Sequence, residues 1–391
     1  AKSPDSVCLV YENRKFTYAE VDRITDSLAG YLVSSGMKRG SVVGILIPRC
    51  EYMVLASMGV LKAGCAYLPL DPTYPEDRLN LMVSDSGACM LITTPELSGI
   101  ISDSFSGERM MVDAIPALPE PAAALPEPCP EDRFVILYTS GSTGTPKGVI
   151  FNHSNTMVTA AWERRFYSLG PGANVTAYAS FGFDANVFDT YATITSGAAL
   201  HIISDDIRLD LPALRRYFNE NGITHATMTT QVGRQFAQMG GLETLRFLNV
   251  AGEKLTPLDP PQGFSLFNLY GPTEGSILAS GFLVDRLYRD IPIGKAVDNV
   301  KIYVVDPKGR LLPPGAAGEL LIAGAHVTAG YLNRPEKTAE AYGDNTFCDE
   351  KGYEKVYHTG DIVRYMEDGN LQFIGRRDAQ VKVRGFRVEL T

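Results

Sequence analysis

The chain has one tryptophan, five histidines and six cysteines in 391 residues. The cysteines stand at 8, 50, 65, 89, 129 and 348 with no close pair. That excludes a disulfide framework and zinc-site spacing, and reads as reduced, packed thiols. The histidines lack a His-Glu-x-x-His arrangement, which argues against a histidine-built metal centre. No apolar run approaches the roughly 20 residues of a membrane helix. A basic excess is also missing: 36 Lys and Arg face 45 Asp and Glu, a formal charge of -9. Neither nucleic acid nor an anionic membrane is therefore an expected partner, and a cytoplasmic location is expected. The N-terminus, Ala-Lys-Ser, has no Met, signal core or transit pattern and reads as a piece of something longer.

What is present suits a large globular chain. Hydrophobic residues make up 45%, and the length suggests about two to three domains. Apolar runs alternate with helical patterns over the first 250 positions, which predicts an α/β class with largely parallel sheets. Thr17 and Glu20 have capping-box spacing. Val21, Ile24, Leu28, Tyr31 and Leu32 form one stripe, and Gly36 offers a left-handed stop. Strands are expected at 42–48, 90–93, 134–138, 200–203 and 245–250, and a helix at 211–221 closed by Gly222. Six prolines at 116–130 predict a surface connection. After about 285, short runs at 301–305, 319–322, 356–358, 371–374 and 381–383 predict an antiparallel sheet or barrel.

The most informative segment is Tyr-Thr-Ser-Gly-Ser-Thr-Gly-Thr-Pro-Lys-Gly at 138–148. Its glycines let backbone N–H groups approach an anion, its hydroxyls add donors and Lys147 adds a positive charge. This is a polyphosphate cradle. It is not a Walker loop, because Lys147 lies between Pro146 and Gly148 where that motif needs Gly-Lys-Ser/Thr.

The sequence resembles the adenylate-forming superfamily, and within it the amino-acid adenylation domains of nonribosomal peptide synthetases. The segments that carry the resemblance run in order along the chain. They are Phe-Thr-Tyr-Ala-Glu at 16–20, Leu-Lys-Ala-Gly-Cys-Ala-Tyr-Leu-Pro-Leu-Asp at 61–71, the cradle, and Asn-Leu-Tyr-Gly-Pro-Thr-Glu at 268–274. Gly-Glu-Leu at 318–320, Gly-Tyr at 330–331, Thr-Gly-Asp at 359–361 and the run from Gly375-Arg-Arg-Asp378 to Lys-Val-Arg-Gly at 382–385 complete the set. The implied fold has two α/β subdomains with mainly parallel sheets plus a smaller β-barrel-like subdomain. Residues 1–377 would be the large N-terminal part, with its β-rich portion at about 285–377. Residues 378–391 would be the hinge, at Asp378, and the start of a C-terminal subdomain whose catalytic Lys lies beyond Thr391.

The resemblance implies an amino-acid adenylating ligase that uses ATP and Mg²⁺ to form aminoacyl-AMP and pyrophosphate. The acyl group would pass to the phosphopantetheine thiol of a peptidyl carrier protein, beside neighbouring synthetase domains. In that frame Thr139, Ser140, Gly141, Ser142, Thr143, Gly144 and Lys147 would hold the β- and γ-phosphates. Thr273 would meet the α-phosphate and Glu274 would carry the metal. Asn268 and Tyr270 would face adenine, Asp361 with Arg376 would take the ribose, and Gly271 would also belong to the nucleotide site. Asp184, in the segment 181–188, matches the counter-ion of the substrate ammonium. Ala185, Phe188, Thr227, Asn249, Ala251, Leu269, Ile277 and Leu278 would line the side-chain pocket. None of these eight is ionisable, which implies a neutral, mainly hydrophobic substrate side chain. An acyl- or aryl-acid ligase and a non-catalytic binding domain are the alternatives.

Overall fold

The computed structural model describes residues 3–139 and 146–377, and beyond them the backbone of two paired strands, Gln380–Val383 and Phe386–Glu389. Two mainly parallel sheets carry the molecule. The six-stranded sheet runs, edge to edge, Glu108–Met111, Met90–Thr93, Val42–Leu46, Ala66–Leu70, Arg133–Thr139 and Lys147–Asn152, the last antiparallel to its neighbour. The nine-stranded sheet has a parallel centre of Val7–Tyr11, Ala199–Ile202, Asn174–Ala177, His225–Thr229, Phe247–Ala251 and Ser265–Tyr270. Antiparallel strands Arg14–Thr17, Ser280–Leu283 and Lys295–Ala296 flank it. Strands buried on both faces read as continuous apolar runs, as in Val42–Leu46, where every residue is buried.

Helices fill the space between these sheets. Tyr18–Ser34 starts at the predicted box: Glu20 N donates to Thr17 Oγ1 (3.2 Å) and Thr17 N to Glu20 Oε2 (2.8 Å). One apolar cluster then joins Val43, Ile45 and Leu137 of the first sheet to Leu9, Leu200 and Ile202 of the second through Leu28, Leu55 and Tyr191 of the helices. The proline-rich segment straps this layer. Pro121 packs so closely on Gly30 that a Cβ there would sit 2.7 Å from its ring. The helix Leu211–Glu220 ends as expected before Gly222, whose φ is 61°.

The expected strands appear within two residues of their predicted bounds, except that the one expected at 356–358 runs on to Tyr365. The N-terminal pair Val7–Tyr11 and Arg14–Thr17 was not expected, and it extends the distant nine-stranded sheet by pairing with Ala199–Ile202. The barrel expectation is corrected. The third sheet runs Val300–Val305, Gly318–Gly324, Lys355–Tyr365 and Tyr342–Asp344, with Leu371–Arg376 also on the long strand, and it is open. Tyr342–Asp344 and Leu371–Arg376 share opposite ends of Lys355–Tyr365, and among the described residues neither pairs with Val300–Val305. Its apolar face has no need to close on itself, because Ile302, Leu320, Ile322 and Val363 cluster with Leu269 of the nine-stranded sheet and with Leu278 and Ile293 of the segments that flank its edge strands.

Candidate active site

The described ends of the cradle segment lie on the two arms of a hairpin. Arg133–Thr139 rises, Lys147–Asn152 returns, and Thr139 pairs with Lys147. Ser140, Gly141, Ser142, Thr143 and Gly144 lie outside the described residues, as does Asp378. Lys147 points into the protein: its side chain is 12% exposed and its Nζ lies 3.2 Å from Oε1 of the wholly buried Glu274. Tyr331 completes this group. Lys147 Nζ donates to the Tyr331 hydroxyl (2.7 Å), that hydroxyl donates to Glu274 Oε1 (2.7 Å), and the ammonium sits 3.9 Å from the ring centroid. Burial first, and then the Glu274 charge, push the Tyr331 phenol far above its ordinary value, so it stays a donor. Tyr331 is placed by backbone pairing to the same hairpin, Leu332 N to Gly148 O (2.8 Å) and Ile150 N to Gly330 O (3.0 Å).

Glu274 and Thr273 come from the turn after Ser265–Tyr270. The turn is tight: a Cβ on Gly271 would stand 2.2 Å from Ile277 O, so only glycine fits. Ser276 (φ 50°) and Ile277 (φ 81°) both adopt positive φ. A β-branched residue in that region is strained, and Ile277 is one of the predicted pocket residues. Thr328 pins the turn from the third sheet's side, donating its N and Oγ1 to Glu274 O at 2.9 and 3.0 Å.

Thr273 Oγ1 donates to Asp184 Oδ2 (2.7 Å), and Ala185 N donates to Asp184 Oδ1 (2.8 Å) at the start of the helix Asp184–Ser196. The predicted ammonium partner and the predicted α-phosphate residue thus touch. On the other side of the turn the Tyr270 hydroxyl donates to Asp361 Oδ2, and Arg376 Nη1 meets Asp361 Oδ1 at 2.5 Å. Within Thr-Gly-Asp the turn itself is shaped by Thr359, whose hydroxyl accepts from Asp361 N (3.0 Å), so the Asp361 carboxylate is left for Tyr270 and Arg376. Asn268 behaves differently from its neighbours. Its amide donates to Pro292 O (2.8 Å), a bond that fixes the adjacent segment.

The predicted side-chain pocket has an apolar and a polar wall. Phe188, Leu269 and Leu278 are buried in one cluster, with Ala251 and Ile277 packed against it. Thr227 and Asn249 are register partners on neighbouring strands, and Asn249 Nδ2 donates to Thr227 Oγ1 (3.2 Å). Two residues behind this polar wall were not anticipated. Asp189 accepts from Thr227 Oγ1 (2.7 Å) and interacts electrostatically with Glu163, on the neighbouring helix His153–Phe166. Their only sequence signal was position, Asp189 directly after Phe188 and Glu163 directly after Trp162.

Among the described residues no group of three or more His, Cys, Asp or Glu could hold a metal ion. The buried Glu274 carboxylate suits Mg²⁺ held differently, by one carboxylate together with nucleotide phosphates and water. No helix of the described residues is long and apolar enough to cross a membrane, and the six cysteines are free thiols.

The fold and these loops define a class: an α/β enzyme whose ligand-facing turns gather at the carboxyl ends of parallel strands. Within that class the chain belongs to the AMP-binding enzyme family, whose profile matches residues 1–332. It is 38% identical over 395 residues to bacitracin synthase 1 of Bacillus licheniformis, covering 99% of this chain and 7% of that protein. It is 38% identical over 408 residues to malpibaldin synthetase of Mortierella alpina, covering all of this chain and 7% of that protein. The chain thus spans a small fraction of the relatives it matches. Among solved structures it is similar to an artificially fused adenylation–PCP di-domain NRPS, NpsA-ThdA from Klebsiella oxytoca. The TM-score is 0.88 at 25% identity, over 99% of this chain and 79% of that one. The resemblance to peptide-synthetase adenylation domains therefore holds along nearly the whole chain.

Proposed function

We propose that the chain activates an L-α-amino acid with a neutral, mainly hydrophobic side chain as aminoacyl-AMP. The observation that carries this reading is the 2.7 Å contact between Thr273 and Asp184. An amino acid held by its ammonium at Asp184 has its carboxylate a few bonds away, beside the residue assigned to the α-phosphate. Such placement supplies much of what the reaction needs, since the substrate carboxylate is itself the nucleophile. One carboxylate oxygen bonds to the α-phosphorus, the bond from that phosphorus to the bridging oxygen breaks, and pyrophosphate leaves with the electron pair.

Lys147 and the hairpin would neutralise the β- and γ-phosphates, and the Lys147–Glu274 pair is a preassembled reserve of both charges. Nucleotide would take the ammonium, while Glu274, steadied by Tyr331, would hold Mg²⁺. When bound, the ion would offset charge on the phosphate oxygens. Tyr270 would meet adenine, and Asp361 with Arg376 the ribose hydroxyls. Residues 1–377 would form the large part of the domain, with Asp378 as hinge. A peptidyl carrier protein and neighbouring synthetase domains would receive the product.

The test is amino-acid-dependent ATP–pyrophosphate exchange by the full-length protein across the twenty amino acids. Exchange driven by fatty or aryl acids alone would replace this reading with an acyl- or aryl-acid ligase. Absence of ATP binding in calorimetry would replace it with a binding domain.

A further inference from the structure

Behind the polar wall of the pocket lie two carboxyl groups that the adenylation chemistry does not use. Glu163 is 2% exposed and Asp189 is fully buried. Among the described residues neither forms an ion pair, and Glu163 Oε2 and Asp189 Oδ2 have no hydrogen-bond partner. Leaving such oxygens unmet in a protein interior costs stability, so their retention calls for a ligand group or a structural reason. Burial, with no cation to offset it, pushes both carboxyls well above their ordinary values and favours the neutral acid. In that form each has a donor and an acceptor to offer.

Asp189 stands at the depth of the far end of a bound side chain, and Glu163 lies within its electrostatic reach. Asp189 follows Asp184 by five residues on the same helix, about 7.5 Å along its axis. That is the span from an α-ammonium to the tip of a medium or large side chain. The rung Thr227–Asn249 lies two residues before Thr229–Ala251 in the same strand pair, roughly 6.6 Å deeper from the ligand-facing strand ends. The other polar groups there are already committed. Thr227 donates to Asp189, and the Tyr167 hydroxyl donates to Asn249 Oδ1 (2.7 Å).

We propose that Glu163 and Asp189 are specificity-determining residues at the blind end of the amino-acid pocket. The substrate is then an L-α-amino acid whose apolar side chain ends in a neutral hydrogen-bond donor, a hydroxyl or an N–H. This rests on the adenylation reading and deepens it. A cationic tip fits less well, because it must shed water past Phe188, Leu269 and Leu278 and must also strip a proton from a buried acid.

The experiment is pyrophosphate exchange with isosteric pairs that differ by the donor: Tyr and Phe, Thr and Val, Trp and naphthylalanine. The expected result is one pair in which the donor-bearing member has a kcat/KM at least ~100-fold higher, as sites built around a substrate donor discriminate strongly against analogues lacking it. In Asp189→Asn and in Glu163→Leu that ratio should collapse to less than about tenfold, with thermal unfolding recorded to verify the fold. Asn keeps an acceptor for Thr227, so at least one variant should remain folded. Preference for the donorless member of every pair overturns the proposal, as does an unchanged ratio in folded variants or a basic amino acid as best substrate. Exchange with no amino acid at all, but with organic acids, would instead overturn the adenylation reading beneath it.

Discussion

The two halves of the site treat buried carboxylates in opposite ways. On the nucleotide side Glu274 and Asp361 each face a cation, Lys147 at 3.2 Å and Arg376 at 2.5 Å. On the proposed amino-acid side Glu163 and Asp189 face no cation among the described residues, and burial shifts both toward the neutral acid. Charge kept by a partner can be handed to a phosphate or a metal, because the exchange replaces one ion pair with another. A carboxyl that has given up its charge can only recognise, through hydrogen bonds. On the proposed roles the same side-chain chemistry would serve electrostatics in one half and selectivity in the other, with the environment deciding which.

The largest effects should come from breaking the charged partners. Asp184→Ala should weaken amino-acid binding by about 3–5 kcal/mol, the cost of leaving a buried charge unpaired. AMP affinity, measured in parallel by calorimetry, should be retained. Lys147→Ala should weaken ATP binding and also lower folding stability by about 3 kcal/mol, at the low end of that range because Tyr331 still donates to Glu274. Urea unfolding would measure it, and adding Glu274→Gln should restore most of the loss. Tyr331→Phe removes a hydrogen bond to a charged group and should cost about 2 kcal/mol of stability.

A last test sharpens the contrast through pH. Glu163 is raised above its ordinary 4.5, chiefly by burial. The folded state therefore holds a proton that the unfolded state releases near 4.5. Stability from this group is full below that value and falls as pH rises, by about 1.4 kcal/mol per pH unit until the folded group ionises. Glu163→Leu should flatten that decline in urea unfolding between acid and neutral pH. A variant with the same slope as the parent would show that the carboxyl is already ionised.

The turns of the proposed nucleotide side were legible in the sequence because their residues sit in short motifs whose wording fixes local backbone. Gly271 must be glycine where Ile277 O approaches, and Thr359 must cap its own turn, so the chemistry travels with the conformation. Asn268 stands in the same motif yet spends its amide on Pro292, a partner 24 positions away that no motif specifies. The strand pair Val7–Tyr11 and Arg14–Thr17 was missed for a related reason: its partner, Ala199–Ile202, is remote in sequence. The barrel expectation failed because periodicity reports strands, not closure, and an apolar face supplied by the neighbouring sheet removed any need to close.

By itself the sequence determined the α/β class, the capped helix after Thr17, the strand that leads into the cradle segment and the helix stop at Gly222. These depend on spacing within one turn or strand, which local sterics and hydrogen bonding enforce. Tertiary structure decided which groups meet. Lys147 reaches a tyrosine 184 positions away, and Thr273 an aspartate 89 positions away. It also decided the state of Glu163 and Asp189, since whether a carboxyl is an ion or a neutral acid depends on water excluded by neighbours drawn from several elements.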